Sequence, residues 1–189
     1  MNGLELIYDF FEDHVRAASA VRERRPIALG VLCFLIGGLS VFAAQALSYR
    51  LLLSVSWSSC ALLLLWKLAA GFLLVAVLHL LLEMGGRQGS AAGLFVLFGF
   101  SELAWALALP LVMLARLFSP LWPLTAIFLG VTFWSFLLKA RSLQDSYQIS
   151  AGRAWMTLAL PYLGMAALGL ALASLALLSL ALHLFKIWH

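Results

Sequence analysis

Between Pro26 and Lys139 lie 112 residues that carry only six formally charged side chains: Arg50, Lys67, Glu83, Arg87, Glu102 and Arg116. A chain so poor in charge cannot present a water-facing surface on all sides. Soluble domains carry roughly a quarter of their residues as Asp, Glu, Lys or Arg, whereas this chain has 11% charged and 65% hydrophobic residues and a mean hydropathy of +1.05. Its solvent is therefore a lipid bilayer. Each crossing of a hydrocarbon core needs about 20 apolar residues, so 189 residues allow a handful of spans and no separate soluble domain.

The apolar blocks predict an all-α polytopic protein with five transmembrane helices and an N-terminal amphipathic interfacial helix. Residues 1–25 form that helix, and residues 26–189 form a single five-helix domain with spans at about 27–47, 60–82, 91–114, 121–138 and 156–183. Pro26 opens the first span, where its missing amide hydrogen does no harm. The serines and Trp57 of Leu51 to Ser59 read as an interfacial lead-in to the second. Pro110, Pro120, Pro123 and Pro161 mark boundaries or kinks. In the first 25 residues a basic start, an apolar core and a cleavage site are missing, so they do not read as a signal peptide. Instead Leu4, Ile7, Phe11, Val15 and Ala18 recur at helical spacing, flanked by Tyr8 and Phe10, opposite Glu5, Asp9, Glu12, Asp13 and Arg16. That face is expected to bind the membrane interface or the bundle.

Basic residues orient the spans. Arg16, Arg22, Arg24, Arg25, Arg87, Lys139, Arg141 and Arg153 fall on the side of the N-terminus, and Arg50, Arg116 and Lys186 on the other. Eight against three predicts a cytoplasmic N-terminus and a C-terminus on the opposite face. Trp122, Trp134, Trp155 and Trp188 lie near span ends, where indole rings anchor in the headgroup layer. The net charge of +4 is scattered between apolar blocks rather than clustered, which argues against a nucleic-acid partner.

The run EMGGRQGSAAGLFVLFGFSELAWALALPLVMLARL places a glycine-rich turn before a helix with a mid-span polar residue and a proline. With FFEDHVRAASAVRERRP before the first span and FWSFLLKARSLQDSYQISAGRAWMTLALPYLG across the last loop, it resembles the Yip domain. That is the family of Ypt/Rab-GTPase-interacting five-span membrane proteins, with many small bacterial relatives. The resemblance implies a five-helix bundle with a cytoplasmic N-terminus in a bacterial inner membrane. The family's long cytosolic N-terminal region and its acidic aromatic motif are not matched, so GTPase binding is not carried over.

Candidate chemistry concentrates in the third span. A charge at mid-membrane costs about 2.5–3.5 kcal/mol on insertion scales, so Glu102 needs a partner, and Lys67 in the second span is the candidate at matching depth. The pair reads either as a register-fixing bridge or as a protonatable site. His79 and Glu83 share a face at the end of span two and are expected to make a polar contact, two residues being too few for a metal site. Gly85, Gly86 and Gly89 shape the turn, while Gly93 is expected to permit close helix contact. Ala159, Gly164, Ala167, Gly169, Ala171 and Ala173 suit span five to tight packing inside the bundle. Gly-x-Ser-x-Gly, His-Glu-x-x-His, Cys-x-x-Cys and Walker A patterns are all missing, so no enzyme, cofactor or metal is expected. Two functions compete: a scaffold or accessory subunit that acts on the bilayer and on other membrane subunits or copies of itself, and a small permease or ion-conducting component that uses Glu102 and Lys67.

Overall fold

The computed structural model describes residues 2–48, 54–117 and 122–188; the side chains of Trp122, of 180–182 and of 184–188 are outside the description. Arg50 and Pro120, the side chain of Lys186, and the anchoring roles expected of Trp122 and Trp188 therefore lie outside the described residues. The described chain is helical throughout: α1 (Gly3–Glu12), α2 (His14–Arg24), α3 (Ile27–Leu47), α4 (Trp57–Met84), α5 (Ala91–Glu102), a 3-10 turn (Leu103–Leu107), α6 (Ala108–Arg116), α7 (Trp122–Tyr147) and α8 (Ala151–Trp188). Five helical stretches, α3, α4, α5 through α6, α7 and α8, are long and apolar enough to cross a membrane.

Helix α5 is the hub. Every residue from Gly93 to Glu102 is buried, because α3, α4, α7 and the N-terminal pair surround it. Its approach to α3 depends on missing side chains. A Cβ on Gly99 would stand 2.5 Å from the Gly30 carbonyl oxygen, and one on Gly30 would stand 2.9 Å from Val96 Cα. Gly93, expected to serve this purpose, does not: its nearest non-neighbouring atoms stand at ordinary contact distance, on Ser90 and Val21. The correct glycines are Gly30 and Gly37, seven residues apart and hence on one helix face, together with Gly99.

Helix caps follow local chemistry. Ser90 accepts from the Gly93 amide at 3.2 Å and Ser56 from that of Ser59 at 3.2 Å, each satisfying an amide that helix geometry leaves orphaned. Gly86 adopts a φ of +73° in the α4–α5 turn, the region where glycine carries no penalty. Past Glu102 the helix tightens into the 3-10 turn. Pro110, which has no amide hydrogen and crowds the carbonyl four residues earlier, accounts for the rewinding just ahead of it.

The N-terminal segment departs from expectation. It is two helices, because Asp13 leaves the helical conformation and its side chain accepts from the Arg16 amide, capping α2. The face packed on the bundle is Leu6, Phe10, Ala17, Ala18 and Val21, set against Cys33, Val96, Leu97, Phe100 and Leu138. Leu4, Tyr8, Phe11 and Val15 point away and are exposed. Helix α1 is apolar on both sides, and the break at Asp13 interrupts the phase on which a single face was read.

Three spans run longer than the sequence implies, the second because α4 already begins at Trp57, within the stretch read as an interfacial lead-in, and ends at Met84. Helix α7 continues to Tyr147 instead of ending near 138, and the fifth runs from Ala151. Pro161 lies inside α8 and bounds nothing. Among the described residues of α8, packing on the bundle comes from its first turns, through Ala154, Leu158 and Tyr162, while every residue from Leu163 to Ser179 is exposed. Gly164 and Gly169 have open space where a side chain would go, so the small residues of this span do not pack inside the bundle. At 38 residues and about 1.5 Å per residue, α8 is about 57 Å long.

Candidate functional site: a buried carboxylate between two lysines

Glu102 closes α5 at the centre of the molecule, its side chain 5% exposed. Its Oε2 accepts a hydrogen bond from Lys67 Nζ of α4. Its Oε1 accepts one from Lys139 Nζ of α7 at 2.5 Å. The structure thus brings Lys67 and Glu102 together and adds a second cation. Lys139 falls directly after the fourth apolar block, so it reads from sequence as a loop residue. In the structure it sits eight residues inside α7, its side chain 11% exposed. Lys139, counted from sequence with the N-terminal side, is withdrawn into the bundle.

A signal for Lys139 exists in the sequence. Ser135, Lys139, Ser142 and Ser146 recur at intervals of four, three and four, one face of a helix, and all four are buried. The Ser142 hydroxyl donates to the Leu138 carbonyl at 2.8 Å. The Ser135 hydroxyl is buried and makes no hydrogen bond.

Each ammonium also meets an aromatic ring. Lys67 Nζ stands 5.4 Å from the centre of the Trp105 ring, and Lys139 Nζ 5.7 Å from that of Phe136, distances at which the ring's negative face attracts a cation. Phe136 in turn packs on Tyr162 of α8, ring centres 5.2 Å apart. Helix α3 supplies no charge and instead supplies room. A Cβ on Gly37 would meet the Glu102 carbonyl oxygen at 2.5 Å, and one on Gly38 would meet the Leu64 side chain at 2.7 Å and Lys67 Cδ at 3.5 Å. The glycine pair lets the backbone close over the ion cluster.

The arrangement is over-supplied with positive charge, two ammonium groups facing one carboxylate. Because both carboxylate oxygens are occupied by donors, Glu102 is a tie between α4, α5 and α7 and has no oxygen free of a lysine.

Near the N-terminal face, where the turns after α2, α4 and α7 gather, a second polar group forms. His79 Nδ1 and the Tyr147 hydroxyl are 2.7 Å apart, and His79 Nε2 lies 3.7 Å from Glu83 Oε2. Tyr147 was not evident from sequence. Its ring occupies the space above Gly89, where a Cβ would come within 2.2 Å of it, so this turn glycine seats an aromatic ring. His14 Nδ1 and Asp145 Oδ2 are 3.0 Å apart, and the Arg22 guanidinium donates to the Ser146 carbonyl; both contacts fasten α2 to the end of α7. Among the described residues no group of three or more His, Cys, Asp or Glu is placed to hold a metal. Cys33 and Cys60 are free thiols.

No protein-family model matches the chain, and neither a curated protein nor a solved structure matches it.

Proposed function

We propose that this chain is a non-catalytic integral membrane scaffold or accessory subunit, placed in a bacterial inner membrane with its N-terminus cytoplasmic. One observation carries the reading: from Leu163 to Ser179 the apolar helix α8 is exposed on every side, although it is long enough to cross the bilayer. Gly164, Ala167, Gly169, Ala171 and Ala173 give this arm a surface onto which another membrane helix can pack backbone to backbone. The rest of the bundle supports a structural role. Its central charges are tied to one another, and the closely packed helix α5 offers no row of polar groups of the sort a water path needs. The five-span layout accords with the Yip-domain resemblance, and the basic asymmetry with the orientation.

Single cysteines at Gly164, Gly169 and Ala173, in a chain with Cys33 and Cys60 replaced by Ser, test this in native membranes. Discrete protein adducts after thiol cross-linking are the expected result. A chain that forms none at any of the three positions, and that runs as a monomer when extracted in mild detergent, refutes the reading.

The surplus cation motivates the alternative, a small permease or ion-conducting component. It requires proton- or ion-linked flux in proteoliposomes that Glu102→Gln abolishes. Absence of flux in the wild type removes it.

A further inference from the structure

Helices α3, α4 and α5 do not close against one another along their whole length. Between them lies a groove of about 540 Å³ whose lining is apolar throughout. Small residues Ala69, Ala76 and Ala91 and larger ones Ile27, Leu65 and Phe72 line it together. The four α4 residues Leu65, Ala69, Phe72 and Ala76 follow the four-three-four spacing of one helix face, and all four are exposed. The groove therefore opens sideways, along spans that lie in the bilayer.

We propose that this groove holds one acyl chain of an anionic phospholipid whose headgroup lies at the N-terminal face. Three observations select this occupant. First, its volume is more than three times the roughly 150 Å³ that accommodates a benzene molecule in a dry apolar cavity, and its lining offers water no polar partner. Second, from Leu65 to Ala76 it runs eleven residues along α4, about 16 Å at the helical rise. That matches one leaflet, half of a hydrocarbon core of about 30 Å, so an extended chain entering from the headgroup layer reaches its end. Third, its shallow end is bordered by cations. Ile27 follows Arg25 by two residues, and Ala91 follows the turn containing Arg87; both arginine side chains are exposed. Guanidinium groups at that level suit a phosphate that carries net negative charge.

Native mass spectrometry of the intact chain, released from nanodiscs of equal parts phosphatidylglycerol and phosphatidylcholine with the same acyl chains, tests the proposal. The wild type is expected to retain a single lipid, with phosphatidylglycerol several-fold enriched. Ala69→Phe places a ring in the groove lining and should reduce retention several-fold, whereas Leu73→Phe, on the exposed part of α4 outside the groove, should not. Arg25→Gln with Arg87→Gln alters only turns and should erase the enrichment while the fold stays intact. Loss of retention equal in the two phenylalanine variants, no retained lipid in the wild type, or equal retention of the two lipids each overturns the proposal; in the last case, lipid occupies the groove only as it would occupy any apolar surface.

Discussion

Glu102 and its two lysines should respond to mutation unequally, and the inequality follows from the charge count. Glu102→Gln removes the only anion of the cluster and leaves two ammonium groups side by side in a poorly solvated interior. Two unit charges about 4 Å apart interact by about 4 kcal/mol at an effective dielectric near 20. Breaking a buried pair by removing one partner costs about 3–5 kcal/mol in general, so the two arguments agree on the size of the effect. Lys67→Met acts in the opposite sense. It removes one charge-assisted hydrogen bond, yet it leaves a balanced Lys139–Glu102 pair and relieves the surplus cation, so about 1 kcal/mol is expected. Lys139→Met should resemble it, with Lys67 left as partner. In a chain of this length about 1 kcal/mol shifts a thermal midpoint by roughly 2–4 °C. Detergent-solubilised protein followed by circular dichroism should therefore lose about 10 °C or more with Glu102→Gln and only a few degrees with either lysine change. Adding Lys67→Met to Glu102→Gln should recover part of the loss, because one of the stranded charges is gone. If Lys67→Met proves as damaging as Glu102→Gln, or the double variant is worse than Glu102→Gln alone, the three-member cluster is wrong.

Four further outcomes follow from the packing. Gly99→Leu should prevent α5 from seating on α3, since even its Cβ would overlap the Gly30 carbonyl, whereas Gly130→Leu, with open space at its Cβ, should leave the detergent melting point unchanged. Phe10→Ala empties a fully buried site and should cost about 3 kcal/mol, read as faster protease cleavage within residues 1–25; Phe11→Ala, on the exposed face, should leave bundle stability intact and weaken only interfacial attachment. Tyr147→Phe keeps the ring above Gly89 and removes the bond to His79, so a loss of about 1 kcal/mol is expected in the same melting assay. Reporter fusions at Met1 and His189 should appear on opposite sides of the membrane, and finding both on one side would refute five crossings.

Much of this architecture is written in apolar run length, which a bilayer turns directly into helices. The depth of Glu102 within its block also made Lys67 its natural counterpart. Lys139 escaped because hydropathy marks where a span leaves the lipid-facing average, not where its helix ends: α7 continues for eight residues beyond Lys139, and those turns are buried by α2, α5 and α8 rather than by lipid. The serine stripe carried that information at a spacing that run-length reasoning does not read. The inward face of α1 was hidden for a different reason, since a helix apolar on two sides gives no sequence criterion for which side meets protein. In α8, small residues were consistent both with a packed interior and with an exposed arm, and only the arrangement of the other four helices decides between them.

The order of the three charges along the chain has a consequence for biogenesis. Lys67 and Glu102 belong to consecutive spans joined by the short turn at Gly85–Ser90, so the ribosome delivers them as neighbours. The two can leave the insertion machinery as one hairpin whose intramembrane charges cancel, which removes much of the penalty that either span would meet alone. Lys139 is made later and arrives at a carboxylate already in place. Docking of α7 then becomes the event that closes the bundle, and a polypeptide released before that point would carry a complete hairpin with an open anionic oxygen, the kind of exposed intramembrane polar group by which membrane quality control can recognise an unfinished protein.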